Sequence, residues 1–262
     1  MIITLTPNPS VDRTLHVPQL RFNEVLRAHD VRVDWGGKGF NVSRALRILN
    51  EETLALAWVG GGTGRMVQHG LNQLGIKTDF VWVEEETRIN TVAQEDSGEW
   101  YIRLNEPGPH IPEDAIQSLL AKAEAYASKK DIWVAAGSLP QDVPADFYTQ
   151  LIHLLKNKGV RVFFDANGEA LRAGLSDPPF LVNPDISETE DFVGFSIHNY
   201  DDAKRAVLPF LRLGVEYVAL SIDGLGLLLA SQQEMMLATP PKVSIRNVTG
   251  AGDALMAGMA YG

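Results

Sequence analysis

A glycine-rich turn running into an apolar segment, Thr249-Gly250-Ala251-Gly252-Asp253-Ala254-Leu255-Met256, places a carboxylate at the N-terminus of a helix. Small residues let a ligand approach the backbone closely. The first N–H groups of a helix have no intrahelical acceptor and can hold phosphate oxygens. Asp253 beside such a phosphate could take the proton of an attacking hydroxyl, which is the chemistry of phosphoryl transfer. The same peptide also fits a helix simply capped after a glycine turn.

Other stretches offer partners for that chemistry, each with a plainer alternative. Gly36-Gly37-Lys38-Gly39-Phe40-Asn41 leads into a helix and combines a backbone nest, a cation and an amide. It lacks the spacing of a Walker P-loop, and a glycine turn with a solvated lysine fits it as well. Thr87-Arg88-Ile89-Asn90 and Arg103 lie on alternating segments that could aim two guanidinium forks at one phosphate, although an exposed arginine is often only solvated. Asp12 follows the first strand, placed to accept from sugar hydroxyls or to make a turn. Ser138, in Gly137-Ser138-Leu139-Pro140, and the loop Asp165-Ala166-Asn167-Gly168 follow core strands as pocket loops or ordinary turns. Asp185 and Glu188, in Asn183-Pro184-Asp185-Ile186-Ser187-Glu188, suit a water-coordinated Mg²⁺ or a helix cap. Ser221-Ile222-Asp223-Gly224-Leu225-Gly226 could touch a nucleotide or form a glycine turn. Gly60-Gly61-Gly62-Thr63-Gly64 reads as a strand-to-helix turn that lets a substrate sit near the backbone.

Short β-branched runs at 2–6, 55–59, 132–136, 160–164, 180–182 and 217–222 read as strands buried on both faces. Between them, 40–50, 64–74, 112–129, 144–158 and 201–213 carry helical spacing of apolar residues. The alternation predicts a mostly parallel sheet with helices on both faces and ligands at the strands' carboxyl ends. Residues 11–35 and 87–106 break the rhythm and predict a separate small antiparallel sheet, a lid.

Composition narrows the function. With 45% hydrophobic and 21% charged residues the 262-residue chain reads as a soluble globular protein. It has neither an apolar run of about 18 residues nor a signal peptide, so a cytoplasmic location is expected. The absence of cysteine removes thiolate and Cys-zinc chemistry. A formal charge of −10 argues against nucleic-acid and anionic-membrane partners. The histidines lack metal-ligand spacing, and there is neither a nucleophile elbow nor a dinucleotide fingerprint.

Taken in order, Asn8-Pro9-Ser10-Val11-Asp12, 36–41, 87–90, 137–140, 165–171, 185–188, 221–226 and 249–253 resemble the ribokinase-like (PfkB-type) carbohydrate kinases, in particular their phosphofructokinase and tagatose-6-phosphate kinase branch. The resemblance implies one kinase domain over 1–262, a three-layer α/β/α sandwich with a small β-sheet lid that pairs with a second lid in a homodimer. It implies ATP, Mg²⁺ and a sugar phosphate as ligands. By it, Asp253 is the base and Gly250, Ala251 and Gly252 its anion hole; Asp12, Gly37, Lys38, Asn41 and Ser138 meet the sugar; Arg88 and Arg103 hold its existing phosphate. Asp185 and Glu188 organise the metal and its waters, and Ser221, Gly224, Gly226 and Thr249 face the nucleotide.

Departures from the branch carry their own expectations. Asn183 stands where a lysine is usual, weakening contact with nucleotide phosphates, and Asp185 stands where asparagine is usual, adding a carboxylate for the metal. Asp223 replaces a common glycine. The chain stops at Gly262, nine residues after Asp253, where relatives continue, so a C-terminally truncated domain with weak ATP binding is expected. The Gly-Gly-Lys-Gly and Thr-Arg-Ile-Asn forms resemble fructose-1-phosphate kinases, and Arg103 resembles fructose-6-phosphate kinases. Tagatose 6-phosphate stays open, as does a noncatalytic sugar-phosphate sensor.

Overall fold

The computed structural model describes residues 1–222, 226–241 and 250–262. Strand β1 (Ile2–Thr6) lies between β4 (Thr53–Gly60) and β9 (Ile132–Ala136), parallel to both. The parallel run continues through β10 (Arg161–Asp165), β11 (Leu181–Val182) and β12 (Tyr217–Ile222). On the other side β5 (Lys77–Thr78) and β6 (Val81–Val83) pair with β4. Antiparallel β13 (Gly226–Ala230) and β14 (Met235–Ala238) form the far edge. All the strands expected in the core are present.

Helices cover both faces because successive strand residues point to opposite sides. Ile3, Leu5, Trp58 and Phe164 pack with α3 (Glu113–Tyr126), α4 (Phe147–Asn157), α5 (Gly168–Gly174) and α7 (Tyr200–Arg212). Ile2, Val134 and Phe163 pack on the opposite face with α1 (Lys38–Ile48) and α8 (Ala251–Tyr261). There α2 (Gly61–Gln73) joins α1 over Ala55, Ala57 and Val59. Burying each large side chain contributes roughly 1.5–3 kcal/mol. The short α6 (Ile186–Val193) follows β11. No helix among the described residues is long and apolar enough to cross a membrane.

A second sheet stands apart, in the order β3 (Asp30–Gly36), β2 (Ser10–Val17), β7 (Ile89–Glu95), β8 (Tyr101–Leu104). Its outer pairs are antiparallel, as expected, while the central β2–β7 pair is parallel. The reason is topological: β2 leaves the large sheet after β1 and β7 leaves it after β6, so both run outward and each returns through a hairpin partner.

Candidate active site

At the carboxyl ends of the parallel strands, facing the small sheet, lies a cavity of about 650 Å³. Asp12, Gly37, Lys38, Asn41, Arg88, Arg103, Ser138, Asp185, Glu188, Ser221 and Gly250 through Asp253 all line it. The fold therefore brings residues as far apart in sequence as Asp12 and Asp253, a separation of 241, into one place. Gly226 is not among them. Its φ is +115°, and a Cβ there would stand 2.1 Å from the Ala238 carbonyl oxygen, so the β13–β14 pairing explains the glycine. Asp223, Gly224 and Thr249 lie outside the described residues.

Asp253 is the third residue of α8, after a cap at Gly250 with φ of +83°. Met256, Ala257 and Ala260 of α8 pack with Val42 and Leu46 of α1 in one cluster, which sets Asp253 beside Asn41. The Asn41 amide Nδ2 donates to Asp253 Oδ2 at 2.8 Å. Burial pushes the Asp253 carboxyl up to about 6; Asp165 adds to the rise, while the Asn41 bond and Lys38 oppose it. Such a group is ionised at neutral pH yet close to titrating, as a general base requires.

Lys38, the first residue of α1, places Nζ 2.6 Å from Asp165 Oδ1 and 3.7 Å from Glu188 Oε1. Burial disfavours the ammonium, but Asp165 and Glu188 outweigh it and the lysine stays charged. Asp165 at the end of β10 is buried, and burial raises its carboxyl against the pull of Lys38. Its role as the lysine's partner is additional to the expected site. The available signal was an aspartate closing a buried strand.

Asp185 and Glu188 satisfy both readings of their spacing. Asp185 Oδ1 accepts from the Glu188 N–H at 2.7 Å and Glu188 Oε2 accepts from the Asp185 N–H at 3.0 Å, a reciprocal cap on α6. Both residues also line the cavity. Burial first, and then the charge of Asp165, push Glu188 up to about 7 against the pull of Lys38. Among the described residues no group of three or more acidic or histidine side chains forms a ready cation cage. The donor set suits Mg²⁺, which keeps several waters and shares phosphate oxygens.

On the side of the small sheet, Asp12 Oδ1 accepts from Ser10 Oγ on its own strand at 2.6 Å and from Asn90 Nδ2 across the β2–β7 pair at 3.0 Å. Gly36 permits this packing, since a Cβ there would stand 2.3 Å from Asp12 Oδ2. Arg88 donates Nη1 to the Glu106 carbonyl and Nη2 to the Asn8 carbonyl, which fixes its fork at the cavity wall. Thr6 Oγ1, Asn8 Oδ1, Arg88 Nε, Asn90 Oδ1 and Asn183 Oδ1 are buried without hydrogen-bond partners among the described residues, and all five residues line this cavity.

The glycine turn at 60–64 is closed by the chain itself. Glu86 accepts from the N–H groups of Gly62 at 2.9 Å and Thr63 at 2.8 Å, and from Thr63 Oγ1 at 2.6 Å. These bonds, the Thr63 hydroxyl foremost, hold its carboxyl down at about 2. The stabilisation is present above the ordinary value of 4.5 and is lost as pH falls from there through 2. The melting temperature of Glu86→Gln should therefore fall less than that of wild type between pH 6 and pH 3; equal losses would show that the cap carries no weight.

The sequence pattern of the pfkB family of carbohydrate kinases matches residues 7–262. A 1-phosphofructokinase of Bacillus subtilis (strain 168) is 34% identical over 263 aligned positions, covering 100% of this chain and 85% of its own. Escherichia coli phosphofructokinase-2 has been solved in a tetrameric inhibited form and with fructose-6-phosphate. These structures superpose with TM-scores of 0.94 and 0.93 at 29% identity, covering 99% of this chain and 86% of theirs. The chain belongs to the pfkB family of carbohydrate kinases, phosphotransferases that act on a sugar hydroxyl.

Proposed function

We propose that this kinase uses MgATP to phosphorylate a ketohexose phosphate, converting fructose 1-phosphate to fructose 1,6-bisphosphate. The observation that carries the reading is Asp253, ionised at neutral pH at the N-terminus of α8, in one cavity with Asp12, Asn41, Arg88 and Arg103. Asp253 accepts the proton of the attacking hydroxyl. The first N–H groups of α8 stabilise charge on the transferring group. Asp12, Asn41 and Ser138 orient the sugar, and Arg88 with Arg103 holds its existing phosphate. Lys38 supplies a fixed positive charge between the two substrates. Asp185 and Glu188 would hold Mg²⁺ through water, supplying neutralisation of the nucleotide phosphates. Ser221 lines the nucleotide side.

The identity to the Bacillus enzyme and the Lys38 and Arg88 motifs favour fructose 1-phosphate. Arg103 on the cavity wall favours fructose 6-phosphate as the second reading, in keeping with the ligand of the Escherichia coli structure. A coupled ADP-release assay with fructose 1-phosphate, fructose 6-phosphate and tagatose 6-phosphate tests the proposal. Highest kcat/KM with fructose 1-phosphate is expected; highest kcat/KM with another sugar overturns the assignment, and no turnover with any favours a sensor.

The small sheet also acts as a lid and as a dimer surface in this reading. Its edge strands expose Val31 and Val33 on β3 and Ile102 and Leu104 on β8, all on the face turned away from the cavity, an apolar set that a second copy would cover. Sedimentation should then give twice the chain mass of 28.8 kDa; a monomer at micromolar concentration would rule the pairing out.

A further inference from the structure

Arg44 connects the small sheet to the candidate base. It follows Asn41 by one helical turn on α1, and its Nη1 lies 3.4 Å from Asn41 Oδ1. Its Nη2 donates to Asp34 Oδ1 at 2.8 Å. Asp34 sits on β3, directly opposite Asp12 on β2. With the Asn41–Asp253 bond, a continuous chain of polar contacts runs from the small sheet through α1 to Asp253.

The chemistry of the amide gives that chain a consequence. An asparagine side chain can be turned end for end, but only one orientation gives its N–H to a carboxylate and its oxygen to a guanidinium. Turned over, Asn41 would set an oxygen against Asp253 and an amino group against a cation. Arg44 and Asp253 thus select the same orientation from opposite ends. The fork of an arginine can reach Asp34 and Asn41 together, which the single ammonium of a lysine does poorly. A solvated surface arginine would be held by neither, whereas only 28% of this side chain is exposed.

We propose that Arg44 is a positioning residue for phosphoryl transfer: it holds Asn41 in the orientation that serves Asp253 and, through Asp34, ties that orientation to the position of the small sheet. The proposal rests on the kinase reading. Strand β3 enters α1 directly through Gly36 and Gly37, so Asp34 and Arg44 face each other across one short glycine junction.

The test is the ¹³C titration of the Asp253 carboxyl in the ligand-free protein, its resonance identified by its loss in Asp253→Asn. The other charged groups that act on Asp253, Lys38 and Asp165, are unchanged by the variants. In Arg44→Gln the midpoint should rise by about one pH unit, the size expected for a weakened hydrogen bond to a charged group. The acid limb of the kcat profile should move with it, lowering the rate about five-fold at pH 6 and hardly at all above pH 8. Asp34→Asn should move both in the same direction by less, and Arg44→Lys should fall between wild type and Arg44→Gln.

An unshifted midpoint in a variant that melts like wild type overturns the proposal, as does a rate deficit equal at every pH, which would mark general structural damage. If Arg44→Gln fails to fold, Arg44→Lys and Asp34→Asn carry the titration. Wild-type protein inactive with every sugar phosphate would sink the kinase reading separately, while the titration still decides whether Arg44 controls Asp253.

Discussion

Asp253→Asn should lower kcat by roughly 10²–10⁴-fold while leaving the KM of the sugar within a few-fold, the range of a lost general base. The hydroxyl proton must leave as the phosphoryl group arrives, and an amide cannot take it. In the wild type, kcat should fall as pH drops below about 6, where burial has placed the carboxyl's titration. Stability should respond in the opposite sense. Because the folded value lies above the ordinary carboxylate value of 3.8, the native state binds more protons between the two, so stability falls as pH rises through that window. At pH 7 wild type therefore carries the cost of a buried carboxylate, and Asp253→Asn should melt at the same temperature or higher. Coupled kinetics and thermal unfolding on the same samples check both halves. A variant that loses activity together with several degrees of melting temperature would mean that Asp253 supports the fold rather than the reaction.

The parts of this architecture fixed by local pattern were readable in the chain. Buried β-branched runs and amphipathic segments gave the parallel core, since a strand covered on both faces and a helix covered on one leave different periods. Glycine turns marked where α1 and α8 begin. What escaped depends on pairing across long separations. The direction of the β2–β7 pair follows from where each strand leaves the core, which no local spacing encodes. Asp165 and Lys38 are 127 residues apart, and neither neighbourhood names the other. The same holds for Glu86 and the turn it closes, which in isolation looks open to a ligand. Gly226 shows the converse: a glycine whose positive φ and tight surroundings are set by a neighbouring strand rather than by its own sequence context.

Lys38→Met should combine the two kinds of loss that Asp253→Asn separates. The ammonium is the partner of Asp165, whose carboxyl is buried and only 4% exposed, and removing it leaves a carboxylate without a counter-charge. A fully buried broken pair costs about 3–5 kcal/mol. Here 38% of the lysine side chain is exposed, so solvent screening reduces the expected loss to roughly 2 kcal/mol. The deficit should shrink in acid, because Asp165 is already raised by burial and takes up its proton first. Adding Asp165→Asn removes the unpaired charge, so the double variant should recover most of the lost stability, a coupling that a double-mutant cycle in denaturant measures directly. Under the proposed role of Lys38 turnover should not recover, since the double variant still lacks the cation assigned to the transferring group. If the double variant regained activity along with stability, Lys38 would be a structural counter-ion only; if Lys38→Met melted like wild type, the ion pair would be too well hydrated to matter, and the cavity's order would have to come from the α1 and α8 packing alone.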